Sequence, residues 1–134
     1  TGPALLGKRT MTILDLFTGW RNIADYASGH VIFSESDSAQ DLFVVLQGEV
    51  ELTLHGKSLG RESAGGIIGE MAFIDDAMLN ATATAVSNVK LARVSREEFS
   101  DLIRTNAEFS LHALGEMARR LRAVDRYISN QLEP

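Results

Sequence analysis

The sequence contains no cysteine among its 134 residues, which excludes disulfides, thiolate nucleophiles and thiolate metal sites. No apolar run approaches the roughly 20 residues that a membrane-spanning helix needs, and no signal-peptide pattern opens the chain. Because a cysteine-free chain without these signals suits a reducing compartment, we expect a cytoplasmic protein without a membrane span.

Histidine is scarce and scattered, which bears on enzyme chemistry. His30, His55 and His112 form no H-x-H or H-x-x-x-H pair, so the ligands of a cupin-type metal site are missing. No serine stands in a G-x-S-x-G turn, and the adjacent Asp75 and Asp76 fit a turn better than a catalytic pair. We therefore predict that the chain is not an enzyme and has neither a metal nor a cofactor.

Positive charge is limited as well, with 13 basic residues against 18 acidic ones and a net charge of −5. This balance argues against a broad surface for nucleic acid or anionic membrane. The densest basic run is RRLR, from Arg119 to Arg122. We expect no direct nucleic acid binding by this chain, because no DNA-reading element follows its last predicted helix.

Residues 29–94 have the pattern of short strands separated by glycine turns. The segment Leu42–Leu46 is apolar throughout, as in a strand buried on both faces, whereas VELTLH at 50–55 alternates cleanly. We place the hairpin tip at Gly56-Lys57. With two further strands in TATAV and VKLARV, the pattern predicts a mainly β fold, an antiparallel, jelly-roll-like β-roll.

Helical patterns flank this β-roll, so that all 134 residues form a single domain. Residues 1–28 are predicted to be an N-terminal helical segment, and residues 95–134 to be C-terminal helices, including a long last one. Capping boxes of the S/T-x-x-E type begin the C-terminal helices at Ser95 and Thr105.

The last predicted helix has an apolar stripe that continues for about 25 residues, or about 37 Å. A second copy of the same helix is the simplest cover for such a stripe, which predicts a homodimer; the alternative is that the stripe folds back on its own barrel. The stripe consists of Leu111, Leu114, Met117, Ala118, Leu121, Val124, Ile128 and Leu132.

The stretch GEMAFIDDAMLNATATA, Gly69 to Ala85, has the residues of a small polar binding loop but no lysine or arginine. Its glycine allows the backbone to bend closely round a ligand, and a helical turn after it would direct N–H groups at an anion. Glu70 can accept a hydrogen bond from a hydroxyl. The stretch therefore favours a ligand with a hydroxyl and an anionic oxygen; the alternative is a glycine-rich turn with a capped helical turn.

These residues give the chain a resemblance to the cyclic-nucleotide-binding domain of the catabolite-activator and protein-kinase-A regulatory superfamily. GHVIFSESDSAQDLFVVLQGEVEL is similar to the family's G-x-x-I-F-x-x-G-D…L-Y-V-V-x-x-G-x-V, and GGIIGEMAFIDDAMLNATATA to its phosphate-binding cassette. VKLARVSREEFSDLI and LGEMARRLRAVDRY resemble the strand and helices that follow. The resemblance implies a β-roll flanked by helices, a buried cyclic nucleotide (cAMP or cGMP) and, in the bacterial regulators, a dimer along the long helix.

The resemblance also implies roles for individual residues of the cassette. Gly69 and Glu70 match the family's Gly-Glu pair, in which the carboxylate accepts the ribose 2′-hydroxyl. Met71 and Ala72 would offer backbone groups to the cyclic phosphate. The end of the cassette is matched by Asn80, Ala81 and Thr82, with Asn80 standing where the family has Ser or Ala.

Three departures from the family pattern concern the ligand. Leu79 stands where the family has the arginine that pairs with the cyclic phosphate, and Ser36 stands where it has the glycine of the G-D turn. The polar pair that meets the purine maps onto Val124 and Asp125. Loss of a buried ion-pair partner costs about 3–5 kcal/mol, which weakens binding roughly 10²- to 10³-fold. The sequence favours none of the cations that might replace the arginine, namely Arg61, Lys57, Arg93 and Arg96.

Taken together, these observations predict a regulatory ligand-sensing module that resembles a cyclic-nucleotide-binding domain and has weakened phosphate recognition. Two alternatives stay open. One is a nucleotide-independent dimerisation and regulatory module, and the other is the sensor half of a catabolite-activator-type transcription regulator that lacks its DNA-binding domain.

Overall fold

The computed structural model describes residues 12–35, 37, 41–69 and 81–132, with the backbone alone at 120, 123, 124, 127 and 130–132. Eight strands in these ranges form two four-stranded sheets with antiparallel pairing, in the orders β1-β8-β3-β6 and β2-β7-β4-β5. The predicted β-roll with flanking helices is thereby confirmed. The elements are α1 (Ile13–Leu16), β1 (Ile23–Tyr26), β2 (Val31–Phe33), β3 (Leu42–Gln47), β4 (Val50–Leu54), β5 (Lys57–Glu62), β6 (Ile67–Ile68), β7 (Thr82–Ala85), β8 (Val89–Val94), α2 (Arg96–Thr105) and α3 (Ala107–Leu132).

Strand β3 is the apolar run of the sequence, and it is buried on both faces as predicted. Phe43 and Val45 belong to the core between the two sheets. Leu42 and Val44 face the other way, into a second core that is completed by Phe109 of α3. The alternation of side chains along a strand thus lets one segment serve two cores, which fixes the long helix against the β-roll.

The β4–β5 hairpin differs from the prediction at its tip. The two loop residues are His55 (φ 52°) and Gly56 (φ 81°), and Lys57 is the first residue of β5. A two-residue hairpin with positive φ at both positions is a type I′ turn, whose twist matches that of the strands. Strand β5, KSLGRE, lacks apolar alternation, so the sequence indicates it only through the hairpin tip before it. Its pairing with β4 includes a register shift near Leu59.

The N-terminal segment is only partly helical. Helix α1 is four residues long and begins with a capping box between Thr12 and Asp15. The prediction of a helical segment over residues 1–28 is wrong at Ile23–Tyr26, which is strand β1 and pairs with β8. The reason is tertiary, because the exposed edge of β8 provides a hydrogen-bonding partner for this segment.

Helices α2 and α3 begin at different kinds of cap. Ser95 and Glu98 form the predicted capping box of α2. The predicted box at Thr105 is wrong, because Asn106 caps α3 by accepting a hydrogen bond from the backbone N–H of Phe109 at 2.8 Å. Thr105 is the last residue of α2, and its hydroxyl donates to the carbonyl oxygen of Asp101.

Helix α3 extends for 26 residues, about 39 Å, and carries an uncovered apolar stripe. Its first turns pack on the β-roll through the buried Phe109 and Ala113. On another face Leu111, Leu114, Leu121 and Ile128 are 70%, 59%, 54% and 50% exposed. The described part of the chain therefore does not cover these four side chains, whereas Met117 of the same predicted stripe packs against the core of the β-roll.

Candidate functional site

The predicted cassette is described at its two ends. Gly69 follows β6 with φ 84°, a conformation that L residues rarely adopt, and it lies next to the Phe33 ring. At the other end Ala81 is buried and Thr82 begins β7. Five predicted site residues lie outside the described residues: Glu70, Met71, Ala72, Leu79 and Asn80.

Thr82 already has a partner within the chain. Its hydroxyl oxygen accepts a hydrogen bond from the backbone N–H of Glu35 at 3.1 Å. The Glu35 carboxylate in turn accepts from the backbone N–H of His55 at 2.7 Å. The beginning of β7 is thus connected to the loop after β2 and to the tip of the β4–β5 hairpin.

The predicted purine contacts lie on α3. Asp125 is exposed, and Val124 is described by its backbone alone. Asp125 is not among the described residues that line the cavity described next, and contact of Val124 and Asp125 with a base stays a prediction.

A cavity of about 210 Å³ lies between the β4–β5 hairpin and α3. Leu52 and Leu59 contribute apolar side chains, and Gly60 lets the backbone form part of the wall. Leu52 is paired with Gly60 on one side and with Ala83 of β7 on the other. The cavity is therefore one strand away from the end of the cassette. The described residues that line it are Leu52, Leu59, Gly60, Arg61, Glu62, Arg119 and Arg126.

One wall of this cavity is an ion pair that joins β5 to α3. Both oxygens of the buried Glu62 carboxylate accept hydrogen bonds from Arg119, at 3.0 Å each. Arg119 also donates to Glu116 at 2.6 Å. The hydrogen bonds to Glu62, and next those to Glu116, raise the pKa of the Arg119 guanidinium above its ordinary value, so it stays charged.

Two more contacts hold α3 to the turn that leads into the cassette. The His112 Nε2–H donates to the carbonyl oxygen of Gly65 at 2.5 Å, since a carbonyl can only accept. One helical turn later, Glu116 accepts a hydrogen bond from the backbone N–H of Ile67 at 3.4 Å. The helix and the start of the cassette are therefore connected by polar contacts over two turns of α3.

Gly66 is required by the position of Glu62. A Cβ atom at residue 66 would lie 2.5 Å from Glu62 Oε1 and 2.9 Å from Glu62 Cβ. Real Cβ atoms do not approach so closely, so any side chain here would displace the carboxylate that Arg119 holds. Glycine at position 66 therefore leaves the space in which the Glu62 carboxylate pairs with Arg119.

Sequence reasoning missed Glu62, His112, Glu116 and Arg119 as a connected group. The one signal was the basic run Arg119–Arg122, which was considered only as a patch for nucleic acid. Of the cations considered as replacements for the cassette arginine, Arg61 pairs with Glu49 at 3.2 Å, and Arg93 lies 3.6 Å from Asp41.

Two features that other functions would need are absent from the described residues. They contain no group of three or more His, Asp or Glu side chains that could hold a metal ion. Among the described helices, none combines the length and the apolarity needed to cross a bilayer.

Comparison with known proteins places this fold in a family. A family model described as the cyclic nucleotide-binding domain matches residues 23–106. A cyclic AMP receptor protein of Thermus thermophilus is 33% identical over 105 residues, which are 75% of this chain and 49% of that protein. A cAMP-activated global transcriptional regulator of Pasteurella multocida is 27% identical over 124 residues, 87% of this chain and 59% of that protein.

A solved structure gives the same result for the fold. The catabolite activator protein of Thermus thermophilus matches with a TM-score of 0.71 at 30% identity, covering 88% of this chain and 58% of that chain. This chain spans about half the length of the curated relatives it matches. Because the family model covers β1 to the end of α2 and both sheets are present, the chain belongs to the cyclic nucleotide-binding domain family.

Proposed function

We propose that this chain is a regulatory, non-catalytic module that senses a cyclic nucleotide, with cAMP and cGMP as candidate ligands. The observation behind the proposal is the cavity between the β4–β5 hairpin and α3, next to the cassette in a β-roll of this family. Since the relatives include cAMP-activated transcription regulators, we further propose a cytoplasmic sensor half of such a regulator, in which another part would contact DNA.

The residue roles implied by the family form part of this proposal. Gly69 and Glu70 open the cassette, and Glu70 accepts the ribose 2′-hydroxyl. The backbone groups of Met71 and Ala72 face the cyclic phosphate, Asn80, Ala81 and Thr82 close the cassette, and Val124 and Asp125 face the base.

Leu79 leads us to propose weak recognition of the cyclic phosphate by the cassette. A leucine cannot pair with a phosphate, and the loss of a buried partner costs about 3–5 kcal/mol. A micromolar site would accordingly become a site of roughly millimolar affinity.

Isothermal titration calorimetry with cAMP and cGMP tests both statements. We expect weak, saturable binding by the unaltered chain and binding at least about tenfold tighter by Leu79→Arg, with Leu111→Arg on α3 as the matched control. Absence of binding by both the unaltered chain and Leu79→Arg would refute the sensor function. Strong binding by the unaltered chain would refute the weakened phosphate recognition alone.

A second candidate function is dimerisation without a nucleotide, and the exposed stripe of α3 favours it. Leu114, Leu121 and Ile128 recur every seven residues, which is the spacing of a coiled-coil seam. We propose that a second copy of this chain covers the seam. Sedimentation equilibrium should show a dimer for the unaltered chain and a monomer for Leu121→Glu, while Arg122→Glu, one residue away, should stay dimeric. A monomeric unaltered chain would refute this proposal.

A further inference from the structure

The cavity between the β4–β5 hairpin and α3 lies where the proposed function puts the base of the nucleotide. In that proposal the cyclic phosphate meets the cassette, and the base meets α3 at Val124 and Asp125. Leu52 on the cavity wall is paired with Ala83 of β7, so the cavity is one strand away from the end of the cassette. Its volume of about 210 Å³ is below the roughly 300–1,000 Å³ of typical ligand pockets. We therefore assign one part of the nucleotide, the base, to this cavity.

The apolar part of the wall suits a flat ring. Leu52 is buried, and Leu59 is partly buried against the core between the two sheets. Gly60 lies beside them, and a Cβ there would meet nothing within 4 Å, so the space next to this part of β5 is open. A purine can lie with one face against the two leucines, and its polar edges then point to the charged part of the lining.

The polar side chains of the lining present hydrogen-bond donors to such a ring. Arg61, Arg119 and Arg126 carry guanidinium groups, which donate hydrogen bonds and do not accept them. Glu62 is the acidic side chain among the described lining residues, and both of its oxygens already accept from Arg119 at 3.0 Å. A base in this cavity therefore meets the donors of arginine side chains.

Guanine and adenine differ at the edge that would face these donors. Guanine has two acceptors there, O6 and N7, whereas adenine has the acceptor N7 and an N6 amino group that donates. The planar fork of an arginine matches O6 and N7 at once, but it would face the adenine amino group as donor against donor. The remaining edge of guanine carries N–H donors, which suits the Asp125 carboxylate that the proposed function places at the base.

We propose that this cavity receives a guanine base, with its O6 and N7 edge directed at the arginine side chains of the lining, Arg126 among them. This inference rests on the proposed nucleotide-sensing function and deepens it, because it names cGMP as the ligand in preference to cAMP. The cyclic phosphate stays at the cassette, so the ligand has the orientation that the proposed function gives it.

Calorimetry with three cyclic nucleotides tests the choice of base. Cyclic GMP and cyclic inosine monophosphate both have O6 and N7, but the inosine compound lacks the 2-amino group, and cAMP has an amino group in place of O6. We expect the first two to bind within about threefold of each other and at least about tenfold more tightly than cAMP, as for one bidentate arginine–guanine contact. The series is run on the unaltered chain and on Leu79→Arg, whose tighter binding should preserve the same order.

The variant Arg126→Glu, made in both chains, replaces a donor of the lining with an acceptor. The ratio of the cAMP to the cGMP dissociation constant should fall at least about tenfold, because a carboxylate repels O6 and N7 and accepts from the adenine amino group. The ratio is the measure because the added negative charge weakens both anionic ligands. Arg122→Glu is the matched control with the same change of charge, at an exposed position of α3 that does not line the cavity, and it should leave the ratio unchanged.

The outcomes separate this inference from the proposed function. If cAMP binds as tightly as cGMP or more tightly, the inference is wrong and the sensor function stands. If the inosine compound binds like cAMP, the 2-amino group decides the preference, and the inference is wrong. It is also wrong if Arg126→Glu has the same ratio as Arg122→Glu. If neither the unaltered chain nor Leu79→Arg binds cAMP or cGMP, the inference and the sensor function are both overturned.

Discussion

Arg119 of α3 holds both carboxylate oxygens of Glu62 at the end of β5, at 3.0 Å each, across 57 residues of sequence. Glu62 is 5% exposed, whereas about half of the Arg119 side chain is in solvent. The pair forms a polar wall of the cavity and holds the long helix to the hairpin. Its removal should therefore affect stability more than the loss of an exposed ion pair would.

The variant Arg119→Met should lower the free energy of unfolding by about 3 kcal/mol, because it leaves the Glu62 carboxylate buried without its cation. This figure is at the low end for a broken buried pair, since solvent reaches Arg119. Urea denaturation at pH 7 measures the change. Arg122→Met, at an exposed position of the same helix, should stay within about 0.5 kcal/mol of the unaltered chain. Equal stability of the two variants would show that the pair contributes nothing.

The variant Arg119→Lys should make stability depend on pH in the alkaline range. The arginine pKa, already far into the alkaline range in the unfolded chain, is raised further by Glu62, so its stabilisation is complete at every pH of this experiment. A lysine titrates near 10.4 when unfolded, and its pairing with Glu62 would be lost as pH rises through its raised folded pKa. The stability difference between the unaltered chain and Arg119→Lys should grow by up to about 1 kcal/mol between pH 8 and pH 11 in urea denaturation. The stability difference between the unaltered chain and Arg122→Lys should stay constant over the same pH range. If the difference is constant for both variants, the prediction is wrong.

The variant Gly66→Ala should destabilise the protein by about 1–3 kcal/mol, because its Cβ would lie 2.5 Å from Glu62 Oε1. Thermal unfolding followed by circular dichroism measures the effect. Gly115→Ala is the matched control, since a Cβ there meets nothing within 4 Å and the residue is in the middle of α3. That substitution should stabilise the helix by about 0.5–1 kcal/mol. If the unfolding temperatures of the two variants shift in the same direction, the close approach of a Cβ to Glu62 has no cost.

The variant Asn106→Ala should cost about 0.5–2 kcal/mol, because Phe109 then loses the acceptor for its backbone N–H at the start of α3. Thr105→Ala removes a hydroxyl that donates to Asp101, and we expect a smaller loss from it. Urea denaturation of the two variants distinguishes the caps. A larger loss for Thr105→Ala would favour the capping box suggested by the sequence pattern.

Parts of the fold were predictable where local pattern and tertiary environment agree. The run LFVVL reads as a strand buried on both faces, and the S-x-x-E pattern at Ser95 places the start of α2 correctly. Strand β1 was missed because its residues lack a clear two-residue alternation, and β5 was indicated only by the hairpin tip before it. Both exist through hydrogen bonds to a neighbouring strand, which no local window of sequence contains.

The site shows the same limit. The cassette was recognised because its residues are contiguous in the sequence and have a known order. Glu62, His112 and Arg119 come together only when α3 docks on the hairpin, and each looks like an ordinary surface residue in its own segment. Arg126 could not be distinguished from its neighbour Arg122 before the face of the helix was known.

The seven-residue recurrence of Leu114, Leu121 and Ile128 has a geometric consequence for any helix that pairs with α3. A straight α-helix has 3.6 residues per turn, so these positions drift by about 20° round the axis with each recurrence. Over the two intervals from residue 114 to residue 128 the drift reaches about 40°. Two copies of α3 that stay in contact over this distance must therefore wind round each other in a left-handed supercoil.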